Sequence, residues 1–193
     1  MAVDASKVIV GALDQKTTGA VLDAPIGTPI PVDITSTINT AFKDSGYVSS
    51  DGVSLTTDYS TKDITEANGA AVRHLLESFN GEVKYTELEM SERALRRAFG
   101  DEAVTVTPAA TAHGTQIKVA IGPVLPAARS WILKIKDGAV KIMIVLPRGQ
   151  AIPPDEITFQ SAEAIKLPIT IKCEPDANNK SIYILMDDGV VSK

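Results

Sequence analysis

The sequence predicts a mainly β protein, an antiparallel β-sandwich or barrel-like sheet with one flanking α-helix. The first observation is a series of short segments in which apolar and polar residues alternate between turn residues, as in half-buried strands. The second is a helical spacing of apolar residues in one short stretch, without the strand–helix–strand rhythm of a parallel sheet. The 193 residues fit a single domain, 1–193.

Composition and charge narrow the classes of function. The chain is 44% hydrophobic and 22% charged, the balance of a globular protein. It lacks an apolar run of about 18 residues and a signal-peptide pattern, so we expect no membrane partner. The first hundred residues hold nine Lys or Arg against fourteen Asp or Glu, which accounts for the whole net charge of −5. An acidic chain is a poor DNA binder, because affinity depends on basic residues that displace counterions from phosphates.

Residues 1–35 are predicted to form an extended N-terminal arm. Lys7–Val10 is a candidate for a short strand, and turn-forming residues follow it. Pro25 and Pro29 belong to a cluster of prolines, which cannot donate hydrogen bonds inside a sheet. We therefore interpret this stretch as an extended surface segment, which is either a plain loop or an arm that contacts another subunit.

Residues 58–80 are polar and mixed, and their pattern leaves the assignment open. Arg73–Leu76 fits a strand or a helix equally well. Upstream, Asp51-Gly52 is a strong signal for a two-residue turn between strands. Because a long ordered insertion in a compact domain usually serves function or interaction, we interpret residues 58–80 as an extended interaction segment.

One stretch passes directly from a strand pattern to a helix pattern. Val83 and Tyr85 alternate with polar residues and predict a strand. The helix is predicted over about residues 91–99, with Ser91 as the N-cap. The alternative is a capping box from Thr86, which would start the helix earlier. The apolar stripe of the helix consists of Ala94, Leu95, Ala98 and Phe99.

A β-hairpin is predicted around Asp137-Gly138, a two-residue turn signal between two alternating runs. Counting outward from this turn sets Trp131 opposite Ile144 on a shared apolar face. The same register sets Lys134 opposite Lys141, an unfavourable like-charge pair. Either an acidic group from this chain or a neighbour lies over the two lysines, or they splay into water.

The last third of the chain continues the strand pattern. Apolar residues alternate from Ile165 to Cys173, and Pro168 on the opposite face predicts an edge position or a bulge. Ser181–Met186 is the final predicted strand. Since Cys173 is in phase with the apolar face, it is interpreted as a core thiol and not as a ligand.

The sequence contains no constellation that indicates catalysis, a cofactor or a metal. His74 and His113 are isolated and lack the spacing of metal ligands. Paired acids occur at turns, where exposure to solvent accounts for them. Neither a nucleophile elbow nor a phosphate-cradling glycine loop is present. We therefore expect a structural protein that is not an enzyme.

Six motifs follow each other along most of the chain. They are Ala-Pro-Ile-Gly-Thr from Ala24, GYVSSDGVSL from Gly46, the helix ending Ala98-Phe99-Gly100-Asp101, the Asp137-Gly138 hairpin, Leu146-Pro147-Arg148-Gly149-Gln150, and the strand Leu167–Ile171. Each motif alone is common, so the order and spacing of all six give the pattern its specificity. In this order they resemble the major tail tube proteins of long-tailed, non-contractile (siphovirus-type) bacteriophages, although residues 61–76 do not align residue by residue.

The resemblance implies a β-sandwich that assembles as hexameric rings, stacked into the phage tail tube as a conduit for genome delivery. It implies a tape-measure protein, a tail terminator and distal tail proteins as partners, and passage of double-stranded DNA without specific binding. The implied location is the virion, after assembly in the host bacterial cytoplasm. The helix would cover one face of the sheet and leave the other free to line the pore.

Contacts between subunits or rings are expected in the two extended segments. The residues concerned are Pro25, Pro29, Tyr59, Thr61, Lys62, Asp63 and Glu66. Two other classes of function stay open. One is a non-catalytic β-sandwich binding module for a carbohydrate or protein ligand. The other is the tube protein of a contractile tail or of a secretion apparatus.

Overall fold

The computed structural model describes residues 7–15 and 19–190. Within these residues, ten strands and one helix follow each other along the chain. They are β1 (Val21–Pro25), β2 (Lys43–Asp44), β3 (Val48–Thr65), β4 (Ala71–Glu87), α1 (Glu92–Phe99), β5 (Val104–Thr107), β6 (Gln116–Val119), β7 (Arg129–Asp137), β8 (Val140–Ile152), β9 (Leu167–Glu174) and β10 (Tyr183–Asp187).

The main sheet is antiparallel and forks at β8. Its strand order is β2-β1-β7-β8-β9-β4-β3, and β10 also pairs with β8. The first half of β8 pairs with β10, up to Val145↔Tyr183, and the second half pairs with β9, from Arg148↔Glu174. We call β9, β4, β3 and the second half of β8 the long wing, and the remaining strands of this sheet the short wing. The predicted β-sandwich-like fold with one helix is confirmed.

The main core contains residues of both wings and the helix. Trp131 and Leu133 on β7 are fully buried together with Val83 on β4 and Ile171 on β9. The Trp131 Nε1–H group donates to the carbonyl oxygen of Gly149 at 2.9 Å. The predicted core position of Trp131 is therefore confirmed.

The helix begins and ends where its local sequence predicts. Ser91 is the N-cap, and its hydroxyl accepts from the backbone N–H of Ala94 at 3.2 Å. Gly100 closes the helix with φ 96°, a conformation that favours glycine. The capping-box alternative is wrong, because β4 continues to Glu87. The apolar stripe, including Leu95, is buried in the main core.

A second core lies on the opposite face of the short wing. It contains Leu22, Phe42 and Ile132, with partly buried side chains such as Ile34 packed against it. The segment after β1 thus covers this face, so the expectation that the face opposite the helix is wholly free is wrong for this wing. The residues of this core are Leu22, Ala24, Phe42, Ile132, Met143 and Val145, with Ile30, Ile34, Ile38, Tyr183 and Leu185 against them.

The expected surface position of the proline-rich segment is wrong for its first part. Val21–Ala24 is buried and forms β1, between β2 and β7. Pro25 is the last residue of this strand, so the prolines start where the strand ends. The strand predicted at Lys7–Val10 is also absent. Downstream of it, Leu13 makes a single antiparallel bridge to Ile135.

The β7–β8 hairpin forms with its strands slid by two residues from the predicted register. Gly138 has φ 58° and takes the first central position of the turn, so Asp137 pairs with Val140 instead of lying in the turn. A two-residue slide preserves the faces, which is why the core assignment is correct although the partners are not. The directly opposed like charges are Lys136 and Lys141.

The predicted turn at Asp51-Gly52 is also wrong. β3 runs without a break from Val48 to Thr65, and Gly52, with φ 75°, lies at an irregularity in its pairing with β4. An irregularity in a strand can place glycine at positive φ just as a tight turn does, so the dipeptide signal does not distinguish them. Pro168 agrees with its prediction, because the pairing of β9 with β8 stops at Thr170 and leaves Pro168 at an edge on that side.

Candidate functional site

The β3–β4 hairpin extends far beyond the rest of the sheet. The pairing of β4 with β9 ends at Gly81↔Cys173, so residues 58–65 and 71–80 pair only with each other. Almost every side chain of residues 58–80 is exposed. We call residues 58–80 the hairpin arm. The open choice between strand and helix at Arg73–Leu76 is thereby resolved in favour of a strand.

At the base of the hairpin arm, one face is apolar and continues the core face of the sheet. Tyr59 lies opposite Phe79, on the same face as the Leu55↔Val83 pair nearer the core. The Tyr59 and Phe79 rings are 4.9 Å apart between centroids. Tyr59 remains 60% exposed and Leu76 61%. This stripe therefore lacks a covering partner among the residues that the structure describes.

The stripe forms one wall of an open groove, and the β9–β10 connection with the start of β10 forms the other. Ile182 and Ile184 lie on that second wall, and Ile184 is 60% exposed. Exposed apolar surface of this kind is typical of a protein interaction site. The groove is lined by Leu55, Thr57, Tyr59, Leu76, Phe79, Cys173, Pro175, Asn179, Lys180, Ser181, Ile182 and Ile184.

The predicted contact residues fall into two separate places. Tyr59, Thr61, Lys62, Asp63 and Glu66 all lie on the hairpin arm. Asp63 lies opposite His74, and its Oδ1 is 2.5 Å from the imidazole Nδ1, so the two residues form a pair on the exposed arm. Glu66 begins the turn at the tip, where its carbonyl oxygen accepts from the N–H of Gly69.

Pro25 and Pro29 are on a different element. Pro25 pairs with Arg129 at the end of β1, and Pro29 follows in the segment that covers the second core. Both prolines are exposed. The structure thus presents two candidate contact surfaces and not one continuous site.

Sequence reasoning missed a buried ionic cluster between the helix and both wings. Arg97 lies in the last turn of the helix, where a basic residue suits the helix dipole, but it is only 2% exposed. Its Nε and Nη2 atoms donate to Oδ1 of Asp23 at 3.0 and 2.7 Å, and its Nη1 donates to Oε1 of Glu87 at 2.5 Å. Arg93 and Arg129 also bind the Asp23 carboxylate.

Electrostatics around Glu87 follow from its burial. Desolvation raises the pKa of the Glu87 carboxyl, although the Arg97 guanidinium opposes this shift. The Tyr85 hydroxyl donates to Glu87 Oε1 at 2.9 Å, and burial raises the pKa of Tyr85 well above its ordinary value. The sequence pattern indicates that these two carboxylates are buried, because Asp23 and Glu87 occupy positions in phase with buried apolar neighbours.

The described residues offer little reactive chemistry. They contain no group of three His, Cys, Asp or Glu placed to hold a metal ion. Cys173 packs against the main core as its phase predicts, and burial raises the pKa of its thiol to about 11. No described helix is both long and apolar enough for a membrane span.

Comparison with known proteins identifies the family. A search of curated proteins finds no match to the chain. A family model described as Phage tail tube protein matches residues 1–193, the whole chain. The chain therefore belongs to the family of phage tail tube proteins.

Proposed function

We propose that this chain forms hexameric rings that stack into the tail tube of a long-tailed, non-contractile phage. The family assigns it a structural role in the virion tail, as a subunit that assembles with other tail proteins. In the proposed tube, the stacked rings enclose a tape-measure protein and later conduct the genome to the host. Ring closure requires head-to-tail contacts, which close into rings or continue as filaments.

The observation that carries the proposal is the uncovered apolar face at the base of the hairpin arm. Tyr59, Phe79 and Leu76 continue the core face of the sheet past the body of the subunit. Monomeric soluble proteins seldom keep such a contiguous stripe in water. A second copy of the chain in the next ring would cover it together with Thr61 and Asp63 of the same face, while Lys62 on the other face and Glu66 at the tip would lie at the margin of the contact.

A second contact is proposed at Pro25 and Pro29. Both are exposed at the end of β1, away from the hairpin arm. Neighbours within one ring would meet there, while the hairpin arm would reach between rings. A tail terminator and distal tail proteins would close the two ends of the tube, and assembly would take place in the host cytoplasm. A contractile tail or a secretion apparatus would use the same kind of tube.

Two matched substitutions test the role of the apolar face. Leu76 and Leu75 are adjacent on β4 but lie opposite Thr61 and Lys62, so they point to opposite faces of the arm. We expect Leu76→Ser to prevent tube growth and Leu75→Ser to allow it, with both variants folded by circular dichroism. Light scattering and negative-stain electron microscopy provide the measurement. Long tubes from Leu76→Ser, or equal loss in both variants, would contradict the proposal.

A further inference from the structure

An exposed phenylalanine lies in the long connection between β8 and β9. Residues 153–166 form this connection without a helix or a strand, and connections of this length usually serve function. Phe42 and Phe99 are buried in the two cores, and Phe79 has a ring contact on the hairpin arm. Phe159 is instead 70% exposed. Its ring therefore lacks a covering partner among the residues that the structure describes.

The body of the subunit holds the base of this connection. Ile157, two residues before Phe159, is partly buried against the main core. Ala162, three residues after it, has φ 110°, a conformation that residues other than glycine rarely adopt. Such a conformation persists only where the surrounding structure enforces it. The Phe159 ring thus points outward from a fixed base.

An apolar pocket lies where the helix ends beside the β6–β7 connection. Its cavity has a volume of about 510 Å³, within the range of about 300–1,000 Å³ that is typical of ligand pockets. Ile121 and Val124 on its wall are 72% and 70% exposed. We call it the apolar pocket, and its lining includes Ala103, Ala120, Ile121, Val124, Leu125 and Pro126.

Hydrogen bonds join the walls of the apolar pocket. The N–H group of Ala120 donates to the carbonyl oxygen of Ala103 at 2.8 Å. The side-chain amide of Gln150 on β8 donates to the carbonyl oxygen of Pro126 at 3.0 Å. A site that is already ordered costs less free energy to fill. The apolar pocket can therefore receive a rigid side chain without rearrangement.

We infer that Phe159 of one subunit inserts into the apolar pocket of a neighbouring copy. This inference rests on the proposed tube, in which every copy carries both surfaces and meets other copies. Phe159 is not among the residues that line the pocket of its own chain, so the ring and the pocket are different surfaces. A contact between them is head-to-tail, the kind that closes into rings or continues as filaments.

Chemistry favours a neutral aromatic occupant. Asp101 and Glu102 also line the apolar pocket and are exposed, so they would repel an acidic side chain. Thr158 and Gln160, the direct neighbours of Phe159, carry no charge. Aromatic side chains that fill pockets at the centre of a contact contribute most of the binding energy in protein interfaces.

Two matched pairs of variants test the contact. Phe159→Ser removes the inserted ring, and Gly122→Leu fills the pocket at a position where a Cβ meets nothing within 4 Å. We expect each of them to raise the lowest concentration for tube growth by at least about tenfold, and their double variant to raise it no further. Val190→Ser and Gly114→Leu, which alter exposed positions outside both surfaces, should leave it unchanged.

Photo-cross-linking identifies the partner of the ring directly. Phe159 is replaced by the photo-reactive p-benzoylphenylalanine, which keeps the aromatic side chain, and the chains are irradiated before denaturing electrophoresis. We expect cross-linked dimers whose joined peptide contains residues 120–127 of a second copy, and their loss when that copy carries Gly122→Leu. The same replacement at Val190 is the control and should give no such product.

The outcomes separate the inference from the proposed function. If wild-type chains form no tubes, the proposed function fails, and irradiation of concentrated chains still decides whether Phe159 meets the apolar pocket. If tubes form but the cross-links lie elsewhere, the inference alone is overturned. Normal tube growth by Phe159→Ser also overturns it. If Gly122→Leu alone blocks growth, the pocket holds a different segment or another tail protein, and Phe159 is not its occupant.

Discussion

The guanidinium of Arg97 and the carboxylate of Asp23 join the helix to β1 through two buried hydrogen bonds of 3.0 and 2.7 Å. The same guanidinium binds Glu87 on β4, so one side chain ties the helix to the short wing and to the long wing. Buried charges are tolerated only when they are paired. The relative position of the two wings therefore depends on this cluster as well as on the apolar core.

Replacement of Arg97 by methionine should destabilise the fold strongly. It removes the partner of Glu87, whereas Asp23 keeps Arg93 and Arg129. Breaking a buried pair from one side costs about 3–5 kcal/mol, and urea unfolding measures the loss. Arg96→Met, which removes only an exposed pair with Glu92, should cost less than about 1 kcal/mol.

The double variant Arg97→Met/Glu87→Gln checks the cause of that loss. With the uncompensated carboxylate removed, the double variant should be more stable than Arg97→Met alone. If the losses of unfolding free energy in Arg97→Met and in Glu87→Gln add up to the loss in the double variant, Glu87 and Arg97 are not coupled in the way that the geometry indicates.

Glu87 should also give the protein a characteristic pH dependence. Its folded-state pKa is raised above the ordinary value of 4.5 by burial, so the folded state holds this proton more tightly than the unfolded state. The associated stability is fully present below pH 4.5 and is lost as the pH rises through the raised pKa. The free energy of unfolding of the wild type, relative to Glu87→Gln, should therefore fall over that range. If the free energy of unfolding of the wild type instead rose with pH relative to Glu87→Gln, the attraction of the Arg97 guanidinium would outweigh the desolvation of the Glu87 carboxylate.

Cys173 should react slowly with alkylating reagents at neutral pH. Burial raises the pKa of its thiol to about 11, and the thiolate is the nucleophile. The alkylation rate of the folded chain should keep rising with pH up to about 11, whereas the unfolded chain should level off near about 8.5. A plateau at the lower pH in the folded chain would show that the thiol is not held in the core.

Gly149 should not tolerate a side chain. A Cβ at this position would lie 2.6 Å from Cγ2 of Ile171 and 2.9 Å from Cδ1 of Trp131. Gly149→Ala should cost about 1–3 kcal/mol of unfolding free energy through overpacking. Gly114→Ala, where nothing lies within 4 Å, is the matched control and should be nearly neutral. Equal effects would mean that Trp131 and Ile171 can move aside.

The helix could be predicted from sequence because its determinants are local. Ser91, Gly100 and the apolar stripe lie within one short stretch, and each acts on its own neighbours. The faces of the β7–β8 hairpin were also predictable, because alternation fixes them. The partners were not, since a two-residue slide leaves every face unchanged.

The hairpin arm and the ionic cluster could not be predicted in the same way. Both faces of the arm are in solvent, so burial imposes no regular alternation on its sequence. Register shifts at Ser60–Thr61 and Ile64–Thr65 interrupt the pattern further. Asp23 and Arg97 are 74 positions apart, and only the folded chain brings them together.

Cryo-electron microscopy of tubes grown from the purified chain would show whether the hairpin arm joins adjacent rings. We expect rings of six subunits in which Tyr59, Phe79 and Leu76 of each hairpin arm are buried against a subunit of the adjacent ring. Tubes whose hairpin arms stay in solvent would contradict it, as would a chain that remains monomeric at high concentration.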